Sequence, residues 1–285
     1  PRLSQELDRR GFASRALIMM SNGGVLGTGT ASRFPVRMME SGPAAGALVA
    51  SYYAERLGLD RLLSFDMGGT TAKACIIEDR KPLVTGLFEV DRMYRFKSGS
   101  GIPVIIPSID MIEIGAGGGS LASVDALGLL KVGPRSAGSE PGPACYGRGG
   151  RNPAVTDADL VLGLLDADNF LGGDMKLDKA ASEVAIGPLA ERLGTSVPQT
   201  ARGIFQVVNE SMAAAARAHA TDRGIDYRGM PVLAFGGAGP VHACHVAELL
   251  ESDTVIYPPL ASVLSAFGTL VTPVRFDLTR GTAGG

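Results

Sequence analysis

The sequence predicts a mixed α/β domain, and three observations carry the prediction. Between residues 62 and 90 three strand-like runs are separated by tight turns, the first of which is Asp66-Met67-Gly68-Gly69-Thr70-Thr71. Residues 197–223 place apolar side chains at helical spacing, with Ala201, Ile204, Phe205, Val208, Met212, Ala215 and His219 on one stripe. A strand from Val232 to Phe235 then runs into Gly236-Gly237-Ala238-Gly239-Pro240 and a further helix.

The elements follow in order. Leu3, Leu7 and Gly11 mark a helix-like start, and residues 16–20 form a buried strand closed by Ser21-Asn22-Gly23-Gly24. Ser41 is placed to cap a helix that tolerates Pro43 in its first turn and stops at Gly58. The meander has strands Leu62–Phe65, Lys73–Ile77 and Pro82–Val90. Short strand-like runs over 102–133 surround Gly115-Ala116-Gly117-Gly118-Gly119-Ser120, and the Gly/Pro-dense stretch 133–153 excludes regular structure. Thr156 is a candidate N-cap with Asp159 completing the box, and Asp178 starts a helix that ends near Gly194. Ser196 and Gln199 box the long helix, and Gly224 stops it. A helix from Val241 and a strand over 253–257 complete the pattern.

Composition removes several classes of function. The formal charge of −2 and the lack of Lys/Arg runs argue against a nucleic-acid surface, and no apolar run is long enough to span a membrane. Cys75, Cys145 and Cys244 are too scattered for a metal framework or a disulfide scaffold, which makes a reducing cytoplasm the expected setting. The 39 glycines are about twice ordinary usage. They cluster, and clustered glycine points to backbone brought close to a ligand or to tight turns.

Two clusters suit a nucleotide. In the turn after the first meander strand, Gly68 and Gly69 free backbone N–H groups for phosphate oxygens, Thr70 and Thr71 add hydroxyl donors, and Asp66 is a candidate holder of hydrated Mg²⁺. An ordinary hairpin turn accounts for the glycines but not for the Asp and the paired threonines. At the second cluster Gly236, Gly237 and Gly239 open a helix N-terminus where a base or phosphate can lie. Gly115 to Gly119 lacks the strand-to-helix context of a dinucleotide fingerprint, so it is either a substrate-facing or metal-adjacent loop or a plain structural one. His242 and His245 share a helix face without a third histidine nearby, and His219 and Cys145 are expected to be structural.

Taken in order, these clusters resemble the actin, sugar-kinase and heat-shock ATPase superfamily, with its ribonuclease-H-like fold. A closer resemblance covers nearly the whole chain. Met39-Glu40-Ser41-Gly42-Pro43-Ala44-Ala45-Gly46, Phe65 to Thr71, Ile114 to Ser120, Pro141-Gly142-Pro143-Ala144-Cys145-Tyr146-Gly147, Val155 to Gly163 and Phe235 to Ala243 look like the hydantoinase A/oxoprolinase family, and their order is the specific signal. The resemblance implies an α/β, actin-like fold in which residues 1–285 form the central domain and second nucleotide-binding lobe, with a loop insertion at about 99–153. It implies ATP and Mg²⁺ as cofactors, with a second divalent metal conceivable. The implied reaction is ATP-dependent hydrolysis of a cyclic amide of the hydantoin or 5-oxoproline type. Ketone carboxylation of the acetone or acetophenone type is the alternative, followed by a non-catalytic nucleotide-binding or scaffold subunit. A B-type partner subunit, a homo-oligomer or both are implied as well.

On this resemblance Asp66 is the catalytic candidate, and Gly68, Gly69, Thr70, Thr71, Lys73, Gly236, Gly237 and Gly239 are nucleotide-binding candidates. Asp66, Asp110 and Glu113 are the candidate metal ligands. Two departures from the family pattern stand out. Lys73 occupies a position that is often acidic, which suits a phosphate better than a metal. Asp110-Met111-Ile112-Glu113 replaces the commoner Asp-Ile-His-Thr, so the imidazole is missing at Ile112. The family's first phosphate hairpin lies upstream of the matching region, so this chain is expected to be a fragment with weak ATP binding and no turnover by itself.

Overall fold

The computed structural model describes residues 2–12, 14–90 and 99–273, and the chain divides into two compact units. One comprises residues 1–60, 77–110 and 265–285; the other comprises 61–76 and 111–264.

The first unit is built on the helix Ser41–Leu57, whose buried face is made of small residues, among them Ala44, Ala45, Ala47, Val49, Ala50 and Ala54. Small side chains let neighbouring backbone approach closely, and at Gly268 a Cβ atom would collide with the Ala45 carbonyl. The helix ends as expected at Gly58, in the left-handed conformation. Its start differs from the expectation by one residue. Ser41 is already helical and Glu40 takes the cap position, its N–H donating 3.1 Å to Ser21 Oγ. Glu40 makes no side-chain cap bond to the helix, and a distant serine instead takes its own N–H. The expected single strand over Pro82–Val90 is three short ones, Lys81–Pro82, Val84–Thr85 and Phe88–Val90. Pro82 has no N–H to continue a ladder, and the Thr85 hydroxyl accepts from Leu87 N at 3.2 Å, turning the chain at Gly86.

The second unit carries the mixed sheet. Its strands are β1 (Arg61–Met67), β2 (Ala72–Glu78), β3 (Ile112–Ile114), β4 (Ser120–Val124), β5 (Leu130–Ser136), β6 (Val232–Phe235) and β7 (Val255–Ile256). The spatial order is β3-β2-β1-β6-β7. β3 runs antiparallel to β2, with Glu113 opposite Lys73, while β6 is parallel to β1, with Phe235 opposite Asp66, and also parallel to β7. β4 and β5 form a separate antiparallel pair. A meander followed by parallel strands is the mixed sheet of an α/β actin-like fold. β1 and β6 are buried almost throughout, as central strands covered on both faces must be.

Four helices belong to this unit: α1 (Val155–Val161), α2 (Lys179–Leu193), α3 (Val197–Asp222) and α4 (Gly239–Leu249). The predicted ends of α2 and α3 hold. Asp178 accepts from Ala181 N at 3.0 Å, Gly194 is left-handed, and Ser196 exchanges bonds with Gln199. On α3 the predicted stripe is buried at Ala201, Ile204, Val208, Met212, Ala215 and His219, while Phe205 is half-buried. Burying a side chain such as Ile204 or Met212 contributes about 1.5–3 kcal/mol. α1 is capped differently from the expectation. Ala154 occupies the cap and Asp157 accepts its N–H at 2.9 Å, because the Thr156 hydroxyl is turned inward to another partner.

Candidate functional site

β1 and β6 lie side by side and parallel, so both glycine clusters emerge at the same end of the sheet, at the carboxyl ends of their strands. That is where open α/β sheets bind ligands. Asp66 is half-buried near the end of β1 and faces the residue before Gly236 across the ladder. The turn to β2 is closed by Gly68 N donating to Thr71 O at 3.0 Å. Gly69 and Thr70 form its exposed tip, and their backbone N–H groups make no hydrogen bond among the described residues. A Cβ at Gly69 would meet nothing within 4 Å, and at Gly68 it would meet only Thr71 O at 3.9 Å. Neither glycine has a positive φ. Internal packing therefore does not require glycine at this turn.

The second cluster is divided. Gly236 has φ +85°, and a Cβ there would lie 2.4 Å from Asp66 Oδ1, so this glycine is needed to let the loop cross the end of β1. Ala238 N donates to Met67 O at 2.9 Å and fastens the crossing. Gly237 is exposed, with open space around its Cβ position. Gly239 is the first residue of α4 and is buried against Met67. Asp66, Gly68, Gly69, Thr70, Gly236 and Gly237 thus surround one end of two adjacent strands.

Lys73 is committed to its neighbours. Its Nζ donates to Thr71 Oγ1 at 2.7 Å and lies 3.0 Å from Glu113 Oε1, across the β2–β3 ladder. Glu113 therefore faces an ammonium, and Asp110 belongs to the other compact unit, where it is buried and its backbone N–H donates to Leu83 O at 2.8 Å. Among the described residues no group of three or more His, Cys, Asp or Glu side chains is placed to hold a metal ion. Mg²⁺ is commonly held by one or two carboxylates with phosphate and water. The single half-buried Asp66 beside the open turn fits that arrangement.

The Gly115–Gly119 loop turns out to support the hairpin. Gly118 N donates to Gly68 O at 3.1 Å and Gly119 N to Gly69 O at 2.6 Å. A Cβ at Gly117 would lie 2.6 Å from Thr70 N. The loop is held from behind by α1, where Thr156 N and Thr156 Oγ1 both donate to Gly118 O at 2.8 Å. Of the two readings open from sequence, the structural loop is the one this geometry supplies.

Behind α1 lies a polar cluster that sequence alone did not assemble. Asp157 is fully buried and accepts from Ala144 N at 3.1 Å, Cys145 N at 2.8 Å, Ala154 N at 2.9 Å and Ser182 Oγ at 2.8 Å. Burial, and then the Asp157 charge, push the Cys145 thiol far above its ordinary range and so oppose the thiolate form. Asp159 and His242 are also buried, with His242 Nε2 3.3 Å from Asp159 Oδ2 and His242 Nδ1 3.1 Å from Asn209 Oδ1. His245 faces outward to Glu248 at 3.1 Å, so the two histidines do not converge on a metal. The available signal was the spacing of Thr156, Asp157 and Asp159, whose side chains on a buried one-turn-plus helix must each find a partner.

The described residues contain no helix long and apolar enough to cross a membrane. The family model described as Hydantoinase/oxoprolinase matches residues 1–278. An uncharacterised protein of Methanocaldococcus jannaschii is 44% identical over 95% of this chain and 40% of its own length. The caprolactamase subunit alpha of Pseudomonas jessenii is 38% identical over 90% of this chain and 36% of its own. A nucleotide-free structure of acetone carboxylase superposes with a TM-score of 0.83 at 30% identity, covering 94% of this chain and 36% of that one. The chain thus spans two-fifths or less of the relatives it matches. With a mixed sheet of the actin-like type, two glycine clusters at one strand end and a match along nearly its whole length, the chain belongs to the hydantoinase/oxoprolinase family.

Proposed function

We propose that this chain supplies the phosphate-facing part of the ATP site in an enzyme that activates a substrate carbonyl by phosphorylating its oxygen. The observation that carries the proposal is the Gly68–Thr71 turn. It has two glycines with no internal need to be glycine, exposed N–H groups at its tip, and a half-buried carboxylate at its base. Absence of side chains there lets an anion reach the backbone, and backbone N–H groups are the donors phosphate oxygens use.

In this reading Gly69 and Thr70 donate backbone N–H groups to the terminal phosphates, and Asp66 holds the hydrated Mg²⁺ that screens their charge. Lys73 keeps the Thr71 hydroxyl oriented by donating to it, and Glu113 holds Lys73 in turn. Gly237 leaves room for the adenosine side of the nucleotide. Phosphorylation of its oxygen activates an otherwise unreactive carbonyl, so that positioning and charge neutralisation are most of what the protein contributes.

Two substrate classes use that chemistry. The structural likeness to acetone carboxylase favours a ketone that is then carboxylated. The 38% identity to a caprolactamase subunit supports a cyclic amide that is opened by water. Relatives named as subunits support a partner chain in either case. The test uses the full-length protein with its partner. Asp66→Ala is expected to abolish ATP turnover, and retention of the full rate would show the hairpin to be a scaffold element. Incubation with ATP and either acetone plus bicarbonate or a lactam, hydantoin or 5-oxoproline separates the two chemistries by product.

A further inference from the structure

His242 and Asp159 take no part in the nucleotide site just described, yet both are buried, His242 with no exposure at all. The protonation of the ring can be argued from its partners. Asn209 Nδ2 donates to Phe205 O at 2.7 Å, and a carbonyl only accepts, which fixes the amide orientation. Asn209 Oδ1 is therefore the atom facing His242 Nδ1 at 3.1 Å, and Nδ1 must carry a hydrogen to donate to it. Nε2 is left facing Asp159 Oδ2 at 3.3 Å, without the alignment of a hydrogen bond. Asp159 Oδ1 has no hydrogen-bond partner among the described residues. Two lone-pair-bearing atoms at that distance, buried away from water, repel unless a proton lies on one of them. The Phe205 ring, stacked at 5.0 Å and 20° on the imidazole, closes the remaining face.

The pair also closes a circuit. The hairpin carbonyls of Gly68 and Gly69 accept from Gly118 and Gly119, and Gly118 O accepts from Thr156 on α1. One turn along α1, Asp159 meets His242 in the first turns of α4, and the loop leading into α4 returns to β1 through Ala238 N and Met67 O. Every other named link is a neutral hydrogen bond. We infer that Asp159 and His242 are positioning residues that hold one proton between them and thereby set the Gly236–Gly239 loop against the Gly68–Thr71 turn. The circuit itself is observed; its bearing on nucleotide binding rests on the function proposed above.

The test has two arms on the full-length protein. In the first, ¹⁵N-histidine and ¹³C-carboxyl spectra report the His242 ring nitrogens and Asp159. A proton on Nδ1 with a second on Nε2 or on the Asp159 carboxyl is expected; a bare Nδ1, or a bare Nε2 facing an ionised Asp159, overturns the inference. In the second, ATP binding is measured for Asp159→Asn, His242→Gln and the double variant, with thermal unfolding as the check on folding. Each single change is expected to weaken ATP binding about tenfold, and the double variant no more than either alone, as for two residues acting as one unit. Wild-type affinity in folded Asp159→Asn, or losses that multiply in the double variant, overturns the positioning role. If the wild type itself takes up no ATP while both the Nδ1 proton and the proton between Nε2 and Asp159 are seen, the nucleotide reading fails and the proton-sharing pair stands.

Discussion

The turn at Gly68–Gly69 and the loop at Gly115–Gly119 look alike as strings of letters, and the fold uses them in opposite ways. At the turn, an added Cβ at Gly69 would enter open space; at the loop, one on Gly117 would lie 2.6 Å from the Thr70 nitrogen. Gly69 and Thr70 face outward at the tip of the turn with unspent N–H groups, while Gly118 and Gly119 spend theirs on the carbonyls of Gly68 and Gly69. The lesson is that the backbone of a ligand loop can need its own backbone support, and that glycine serves both tasks for different steric reasons.

The comparison is broken most forcefully at the support. Gly117→Ala is expected to destabilise the protein by about 3 kcal/mol, because neither Thr70 N nor its backbone neighbours can retreat without opening the hairpin. Chemical denaturation measures this, and an unchanged midpoint would mean that the loop yields easily. Next in size is Thr156→Val, which removes the hydroxyl donor to Gly118 O and should cost about 1–2 kcal/mol. A smaller effect on stability is expected at the turn itself. Gly69→Ala should leave the unfolding free energy within about 0.5 kcal/mol of wild type, while lowering ATP affinity about tenfold in the full-length protein, a loss of about 1.4 kcal/mol. Loss of stability there instead would erase the distinction between the two runs. The mildest probe sharpens the contrast between buried and open surface without changing the chain. A thiol reagent should label exposed Cys244 quickly and leave Cys145 untouched until unfolding, since burial and the Asp157 carboxylate both oppose its thiolate.

Much of this architecture was legible in the sequence. The boxed start of α3 at Ser196 and Gln199, its buried stripe and the Gly194 stop of α2 follow from local chemistry, and local chemistry is visible in a sequence. The central strands were also legible, because fully apolar runs have few other places to go. What stayed hidden was long-range pairing. Glu40 N donates to Ser21, and Thr156 gives up the expected cap to serve Gly118, choices made by partners far along the chain. At the site, the residue types at the turn pointed to a phosphate, but nothing in the letters separates a glycine that admits a ligand from one that admits another backbone. Lys73 shows the same limit. Its charge suggested a phosphate partner, whereas the strand register sets it opposite Glu113.

Asp157 has a consequence beyond α1. Between the end of β5 at Ser136 and that helix the chain has only the short 3₁₀ turn Ala144–Tyr146 as regular structure, yet the amides of Ala144 and Cys145 end on the same carboxylate that receives Ala154 and Ser182. A single acidic side chain thereby works like the keystone of an arch whose other stones are loose. Glycine is still required where the span folds tightly on itself, since a Cβ at Gly150 would collide with the Gly142 carbonyl and one at Gly142 with the Tyr146 ring. It is the carboxylate, however, that ties the span to the helix, and removing it would strand four donors at once.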